Sequence, residues 1–311
     1  MSLELKDVLK KSAINKWGLF WLIMGPISIA MVIAMMRTDL STGPGVSSMI
    51  QLSVRCAIPS LYLAFAASSI RALFTGPLSL WLLRNRKIFG LCFAAAMAWQ
   101  ALFIIWLVTV HHDYYINDVY VLRDVIEGIL GYSFLIAMTL TSFQFGRKHL
   151  NPKQWKHLHK IGIYSLWIYA FGTYWWALFY YLDPVSIDYA YYWGGFLAWG
   201  LRAAAWGKKR LQRTAKGDPQ SSVQPAFKWM GIVVMGIGST AVVFGSPWQK
   251  AFEELTSTYA SFEWLELYFP YWPFEPYIPL LVILLGIFLA TKSKPSAKPA
   301  VESESATRMT T

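Results

Sequence analysis

Two pairs of histidines stand at the borders of apolar segments in this sequence. His157 and His159 lie in a lysine-rich stretch directly before the apolar run 161–182, and His111 and His112 follow another apolar run. Imidazole nitrogen is the commonest side-chain ligand for metals. His159 is therefore the candidate cofactor ligand of the sequence. The alternative is an ordinary histidine at a helix end, beside phospholipid headgroups.

Charged and polar side chains inside apolar runs form a second group that could do chemistry. Arg55 lies a few residues from one end of its run, and Asp124 and Glu127 lie at a matching depth in theirs. A charge at such a depth in a membrane is costly and is usually paired. A structural ion pair among these three is predicted, with a quinone or anion site as the alternative. Gln100, near the middle of its run, is predicted to hydrogen-bond a neighbouring helix.

The composition places the chain in a membrane. Of its 311 residues 56% are hydrophobic and 14% are charged, and the mean hydropathy is +0.39. A soluble protein is nearer a quarter charged. The two cysteines, Cys56 and Cys92, both lie in apolar runs and have neither a disulfide-framework nor a metal-site spacing, so they are predicted to be inert thiols.

Apolar runs long enough to span a bilayer recur along the chain. A spanning helix needs about 20 apolar residues. The predicted fold is therefore an all-α, polytopic transmembrane bundle of about eight spans, and the runs are 17–36, 49–74, 88–110, 125–143, 161–182, 189–206, 229–244 and 278–291.

The distribution of lysine and arginine predicts the orientation. With the N-terminus inside and eight spans, 24 of the 28 Lys and Arg residues fall on the inner side, whereas 12 of the 17 Asp and Glu residues fall outside. An excess of Lys and Arg marks cytoplasmic loops. The prediction is an inner (plasma) membrane protein with both termini cytoplasmic. The net charge of +11 then faces anionic lipid, so the predicted partner is the bilayer and not nucleic acid.

The polar parts of the chain complete the predicted domain plan. Residues 1–16 alternate lysines with apolar residues, as in a short amphipathic helix on the membrane surface. A six-span domain covers 17–206, and two further spans lie in 207–291. The tail 292–311 is predicted to be a disordered cytoplasmic segment. No flavin or nicotinamide domain is expected, because the glycines near residue 235 follow no strand.

An aromatic segment, 246–277, is predicted on the outer side between the last two spans. Its first part has apolar residues at helical spacing, and its second part is rich in proline and aromatics. Aromatic anchors carry much of the binding energy of interfaces. The candidate partner-binding residues are Trp264, Tyr271, Trp272 and Phe274, and anchoring of the segment in lipid headgroups is the alternative.

Three stretches of the chain resemble a known family. They are LSVRCAIPSLYLAFAASSIRALFTGPLSLWLLRNRKIFGL (52–91), RDVIEGILGYSFLIAMTLTSF (123–143) and RKHLNPKQWKHLHKIGIY (147–164). Over roughly 40–206 the chain resembles the ferric-reductase-like transmembrane domain, and within it the haem-binding membrane subunits of bacterial periplasmic methionine-sulfoxide reductase systems. The most specific pieces are 86–91, 141–143 and 155–160. Residues 207–311 have no counterpart in this resemblance.

The resemblance implies haem b between the third and fifth spans, held by histidines and passing electrons across the membrane. The family histidine that starts the fifth span falls on His159. The other two ligand positions carry Gln100 and Gly172, so the haem at the middle of the membrane is expected to be lost. His159 and His112 lie on opposite sides of the membrane and cannot share one iron.

The expected function is therefore redox-related electron transfer to or from a periplasmic partner. The alternative is a haem-less membrane scaffold, or a partner-docking or assembly subunit, on the same fold.

Overall fold

The computed structural model describes residues 7–179, 184–217, 224–243 and 277–292 of the chain. Every regular element in these ranges is helical, which confirms the predicted all-α class. The long helices are α1 Lys16–Arg37, α2 Gly43–Leu73, α3 Arg86–Val110, α4 Leu122–Leu140, α5 Pro152–Phe179, α6 Ser186–Gly217, α7 Pro225–Val243 and α8 Tyr277–Ala290. Short helices Pro77–Arg84, His112–Tyr114 and Gln144–Arg147 and a π-helical turn, Tyr115–Val119, lie in the connections.

Four helices, α1, α2, α3 and α7, are long and apolar enough to cross a membrane. Large apolar side chains on their outer surfaces, such as Trp21, Met36 and Trp229, are more than half exposed, as expected of helices that face lipid. The remaining long helices lie where the other four spans were predicted. Helix α8 has 14 residues, about 21 Å, which is shorter than a hydrocarbon core of about 30 Å. The count of eight spans stays a prediction.

Local sequence explains where several helices begin. Pro152 occupies the first turn of α5, and Asn151 and Gln154 form a capping box around it: each backbone N–H donates to the other side chain, at 3.0 and 2.8 Å. At the start of α2 the Thr42 hydroxyl accepts from the Gly45 N–H at 3.2 Å. Both helices therefore begin before their apolar runs do.

The N-terminal segment is not the single amphipathic helix predicted for 1–16. In its described part the chain is extended at Lys11 and Asn15, on either side of a 3-10 turn. Asn85, which is 1% exposed, explains the break. Its side chain accepts from the Lys16 N–H and donates to the Asn15 Oδ1, both at 3.0 Å. These bonds fasten the start of α1 to the start of α3.

The chain forms two compact units, 1–205 with 244–278 and 206–243 with 279–311. In the first unit α2 packs along α3, α1 packs on α3, and α5 packs on both α2 and α4. Stacked rings run through the interior from Phe65 to Trp167, Phe171 and Tyr192, with centroids 5.0–5.4 Å apart. This stack joins α2, α5 and α6.

The helices of the first unit alternate in direction, and the two ends of the unit carry different charges. Helices α1, α3 and α5 begin at the end that we call the basic end, where Arg86, Arg147 and Arg202 lie. Helices α2, α4 and α6 begin at the opposite end, the acidic end. The acidic end contains Asp124 and Asp188.

In the second unit α7 and α8 approach through glycines. A Cβ atom built on Gly238 would lie 2.8 Å from Ile283 Cγ1 and 2.9 Å from the Pro279 carbonyl oxygen. A Cβ atom built on Gly286 would lie 2.6 Å from the Met235 backbone nitrogen. Only glycine allows helix backbones to come this close.

Candidate functional site

A partly open cavity of about 570 Å³ lies among α2, α3, α4 and α5 of the first unit. Small-molecule sites typically enclose about 300–1,000 Å³ with apolar walls and a few polar groups. The apolar walls include Ile58, Phe93, Leu135 and Leu166. The polar lining consists of Gln100, Asp124, Glu127, Tyr132, Tyr169 and Thr173.

Gln100 and Tyr132 form a hydrogen-bonded pair on the cavity wall. The Tyr132 hydroxyl donates to Gln100 Oε1 at 2.8 Å, and it lies 3.2 Å from the Met97 carbonyl oxygen. This bond joins α3 to α4, so the prediction that Gln100 bonds a neighbouring helix is confirmed. The Gln100 amide nitrogen makes no hydrogen bond within the described ranges. It can therefore donate to a ligand in the cavity.

Two carboxylates of α4, Asp124 and Glu127, line the part of the cavity toward the acidic end. Both belong to the first two turns of α4. The carboxylate of Glu127 is close enough to the Tyr169 hydroxyl of α5 to interact electrostatically. A ligand in the cavity therefore meets an acid and a hydroxyl near one end and an amide–hydroxyl pair nearer the middle of the helices.

Arg55 has a different ion-pair partner from the two acids named from the sequence. Its Nη2 lies 3.8 Å from Asp188 Oδ1 at the start of α6, and the Asp188 side chain is 9% exposed. The second Asp188 oxygen accepts from the Val185 N–H at 3.0 Å and so caps α6. The predicted structural ion pair of Arg55 with Asp124 and Glu127 is thus corrected, because α6 brings a better-buried carboxylate to Arg55.

The same region shows how a proline inside α2 is tolerated. Pro59 has no N–H, so the Arg55 carbonyl oxygen receives no helical hydrogen bond from it. The Tyr191 hydroxyl of α6 donates to that oxygen at 2.7 Å. The bond adds a second tie between α2 and α6 at the acidic end.

The cavity does not offer the ligand set of a bis-histidine haem. The positions where the resemblance places ligands carry Gln100, whose oxygen accepts from Tyr132, and Gly172, which has no side chain. None of the five histidines lines the cavity. In the described part of the chain, His, Cys, Asp and Glu side chains form no group of three that could hold a metal ion. A haem held by two histidines therefore does not fit this cavity by its donor set.

His159 lies at the basic end, two residues before the predicted fifth span. The Thr141 hydroxyl donates to the Ala137 carbonyl oxygen at 2.7 Å, so its oxygen accepts from the Nε2–H of His159 at 3.0 Å. Burial, with the nearby charges of Arg86 and Arg147, lowers the pKa of His159 below its usual range. The imidazole is therefore neutral, and the nitrogen that carries its proton cannot bind iron while this bond is made.

Trp155 completes the surroundings of His159. Its indole N–H donates to the Thr141 carbonyl oxygen at 3.1 Å, and its ring centroid lies 4.4 Å from that of His159. The Arg147 guanidinium covers the Trp155 ring at 4.3 Å. The arrangement fastens the end of α4 to the start of α5.

Two further arginines meet on α2 at the basic end. Arg86 Nε donates to the Ala64 carbonyl oxygen at 3.0 Å, and Arg202 Nε donates to the Phe65 carbonyl oxygen at 2.8 Å. Their charges interact with each other. No Asp or Glu in the described ranges lies within ion-pair distance of either guanidinium. Two like charges that interact in this way repel each other.

The aromatic candidates Trp264, Tyr271, Trp272 and Phe274 lie outside the described residues, as does the tail from 293 onward. Sequence reasoning also missed residues of the site that are described. Tyr132 carries no charge and sits in an apolar run, so no signal distinguished it. Asp188 stands at a depth like that of Asp124, but which acid reaches Arg55 depends on how α6 packs.

Comparison with protein-family models, with curated proteins and with solved structures gave no match. The resemblance to the ferric-reductase-like domain therefore rests on the sequence pieces alone.

Proposed function

We propose that this protein serves electron transfer in the membrane and that the cavity binds a lipid-soluble quinone, the redox carrier whose shape and polarity suit it best. The observation that carries the proposal is the cavity itself. Its apolar walls match a quinone ring and tail, and its few polar groups can meet ring oxygens. A histidine-ligated haem lacks its ligands there, so the electron-transfer role is assigned to a carrier that needs no iron.

The chemistry required of the site is simple. A quinone takes up two electrons and two protons, and each ring carbonyl becomes a hydroxyl as its C=O double bond becomes a single bond. The Gln100 amide nitrogen is placed to donate to one oxygen, and the Tyr132 hydroxyl, which donates to Gln100 Oε1, fixes the orientation of that amide. Glu127 and Asp124 supply or accept protons toward the acidic end. The electrons come from, or go to, a redox partner protein.

The proposal is tested by titrating the purified protein with decylubiquinone, a short-tailed quinone, and following tryptophan fluorescence. Trp176 lines the cavity and reports on a ligand there. The change Gln100→Leu removes the amide donor, and Tyr132→Phe removes the hydroxyl that orients that donor toward the ligand. Each lost hydrogen bond is worth about 1 kcal/mol, so the dissociation constant should rise about fivefold to tenfold for each change.

Tyr120→Phe is the matched control for this titration. Tyr120 is an exposed tyrosine outside the cavity, so its loss should leave quinone affinity unchanged. Saturable binding that is weakened by the cavity variants and not by the control supports the proposal. Binding that is indifferent to Gln100 and Tyr132, or no saturable binding, rejects the quinone site.

A visible spectrum separates the quinone proposal from a haem protein. We expect the purified protein to lack the sharp reduced-minus-oxidised bands of a bis-histidine haem b at one haem per chain. If weak haem is found, His159→Ala should remove it, and loss on changing His112 instead would move the ligand to the acidic end.

The proposed setting is the inner membrane, with the basic end and both termini in the cytoplasm. The Lys and Arg distribution supports this orientation. A periplasmic reporter enzyme fused near Tyr259 should be active, whereas a fusion near Gly217 should be inactive. The reverse pattern would overturn the orientation, and activity of a C-terminal fusion would reduce the number of spans by one.

A second candidate function is a scaffold that binds a periplasmic redox or assembly partner without a cofactor. The absence of histidine from the described cavity lining and the aromatic segment 246–277 favour it. Changing Trp272 and Phe274 together to Ala should then reduce co-purification of the partner and leave thermal stability nearly unchanged. A loss of stability without loss of a partner would make the segment a part of the fold.

A further inference from the structure

We propose that Arg86 and Arg202 together hold a phosphate group at the basic end of the first unit, with an anionic phospholipid headgroup as its source. This anion site is separate from the cavity and does not depend on the quinone proposal.

The two guanidinium groups converge on one turn of α2. Their Nε atoms donate to the carbonyl oxygens of consecutive residues, Ala64 and Phe65. Consecutive residues of a helix are separated by about 1.5 Å along its axis. Within the described ranges, the Nη atoms of both arginines have no hydrogen-bond partner. Two neighbouring guanidinium groups with free Nη donors match the oxygen atoms of a phosphate.

Contacts with two aromatic rings restrain the Arg202 side chain. Its guanidinium carbon lies 4.0 Å above the Phe65 ring and 4.6 Å from the Tyr164 ring centroid. Both rings contact the guanidinium, and cation–π contact of this kind restrains the side chain while its Nη groups stay available to an anion. A side chain already held in place loses less conformational freedom on binding.

The charge balance of the basic end calls for an anion from outside the described chain. Asp7 is the described acid at this end, and it pairs with Lys10 at 3.4 Å on the surface. The other described acids follow α1 and α3 or begin α4 and α6, at the acidic end. Arg147 and the neutral His159 lie beside Arg86. The local potential is therefore positive, and an anion is stabilised there.

A membrane supplies a suitable anion at this depth. Ends of spans that are rich in Lys and Arg face the cytoplasmic leaflet, which carries anionic lipids. Arg86 is the first residue of α3, so a headgroup phosphate at this end of the helix can reach its Nη donors. Free phosphate has the same chemistry and is the other source that the experiment must separate.

The test compares thermal unfolding of the full chain, purified in detergent, after addition of phosphatidylglycerol or of phosphatidylcholine. We expect phosphatidylglycerol to raise the Tm more than phosphatidylcholine does. Arg86→Gln and Arg202→Gln should each remove most of that difference. The matched control is Lys87→Gln. It removes the exposed charge next to Arg86 in the sequence, whose Nζ lies 4.7 Å from the centroid of the Phe143 ring. This variant should keep the difference in Tm between the two lipids.

A parallel series replaces lipid by inorganic phosphate at constant ionic strength. If phosphate alone reproduces the increase in Tm, and Arg86→Gln abolishes it, the phosphate site stands and its source is a free phosphate. If Arg202→Gln does not fold, Arg202→Lys replaces it. Lysine keeps the charge but lacks the paired N–H donors of the guanidinium, so this variant should lose the preference for phosphatidylglycerol. If Arg86→Gln and Arg202→Gln respond to phosphatidylglycerol and to phosphate as the wild type does, the proposal is overturned. Loss of the preference in Lys87→Gln also overturns it, because the effect would then be one of general charge.

Discussion

Two glycines of this protein, Gly238 and Gly128, have opposite surroundings. At Gly238 an added Cβ atom would meet the Pro279 carbonyl oxygen at 2.9 Å and the Ile283 backbone nitrogen at 3.0 Å, so α7 and α8 touch through their backbones. At Gly128 on the cavity wall, an added Cβ atom meets nothing within 4 Å. Glycine therefore allows two helix backbones to touch at Gly238, whereas at Gly128 it borders open space.

The difference shows what the space beside α4 means. Protein interiors are packed like organic crystals, with few voids larger than a water molecule. Between α7 and α8 the lack of a side chain at glycine allows the two backbones to come into contact. Beside Gly128 the missing side chain contributes to a cavity that polar groups also line. The comparison therefore predicts that substituting these glycines has opposite consequences for stability and for binding.

The largest expected effect follows Gly238→Leu. The new side chain cannot fit against the α8 backbone, and overpacking of this kind costs about 3 kcal/mol. The measurement is Tm in detergent. Gly236→Leu, two residues away on the same helix and with open space at its Cβ, should leave the Tm nearly unchanged. Equal destabilisation by both variants would show that α7 and α8 do not depend on close approach at Gly238.

An intermediate effect is expected for Gly195→Ala in α6. A Cβ atom there would lie 2.6 Å from the Tyr62 hydroxyl oxygen and 3.0 Å from Phe171 Cδ2. Side chains yield more easily than backbone, so the net loss should be about 1 kcal/mol. At Gly194 the nearest Tyr62 atom lies at 3.5 Å, an ordinary contact. Gly194→Ala should therefore cause no loss of stability, and a loss there equal to that at Gly195 would contradict the packing described for α6.

The smallest effect is a gain in stability for Gly128→Ala. Alanine favours a helix over glycine by about 0.5–1 kcal/mol, and nothing opposes the added methyl group. Gly90→Ala, which also faces open space but lies outside the cavity lining, should gain a similar amount. A decrease in Tm for Gly128→Ala alone would mean that side chains fill the space beside α4.

Much of the fold could be predicted from hydropathy because each apolar run corresponds to a helix. The errors fall at helix ends where the sequence is polar. Helix α5 begins at Pro152 and not at 161, because its first turns are capped and basic. Helix α6 extends from Ser186 to Gly217, well beyond the predicted 189–206. Lysine and arginine are good helix formers, so a helix continues where an apolar run stops.

The site was harder to predict because it depends on packing between helices that are distant in sequence. Several acids lie about as far from the ends of their apolar runs as Arg55 does, so the sequence did not show which of them pairs with it. In the structure the partner is Asp188, which is 133 positions away. The hydrogen bond of Gln100 was predictable in kind, since a buried amide needs a partner, but its partner Tyr132 was not. The convergence of Arg86 and Arg202 on α2 has no sequence signal beyond their charge.

The central claim is that the cavity beside α4 is a ligand site, and Gly128→Leu tests it most directly. Leucine at this position extends into space that the wild type leaves open, so the Tm should stay within a few degrees of the wild-type value. Decylubiquinone should then bind at least about tenfold more weakly than to the wild type, whereas Gly236→Leu should bind it normally. Unchanged quinone affinity in a folded Gly128→Leu protein would contradict the account.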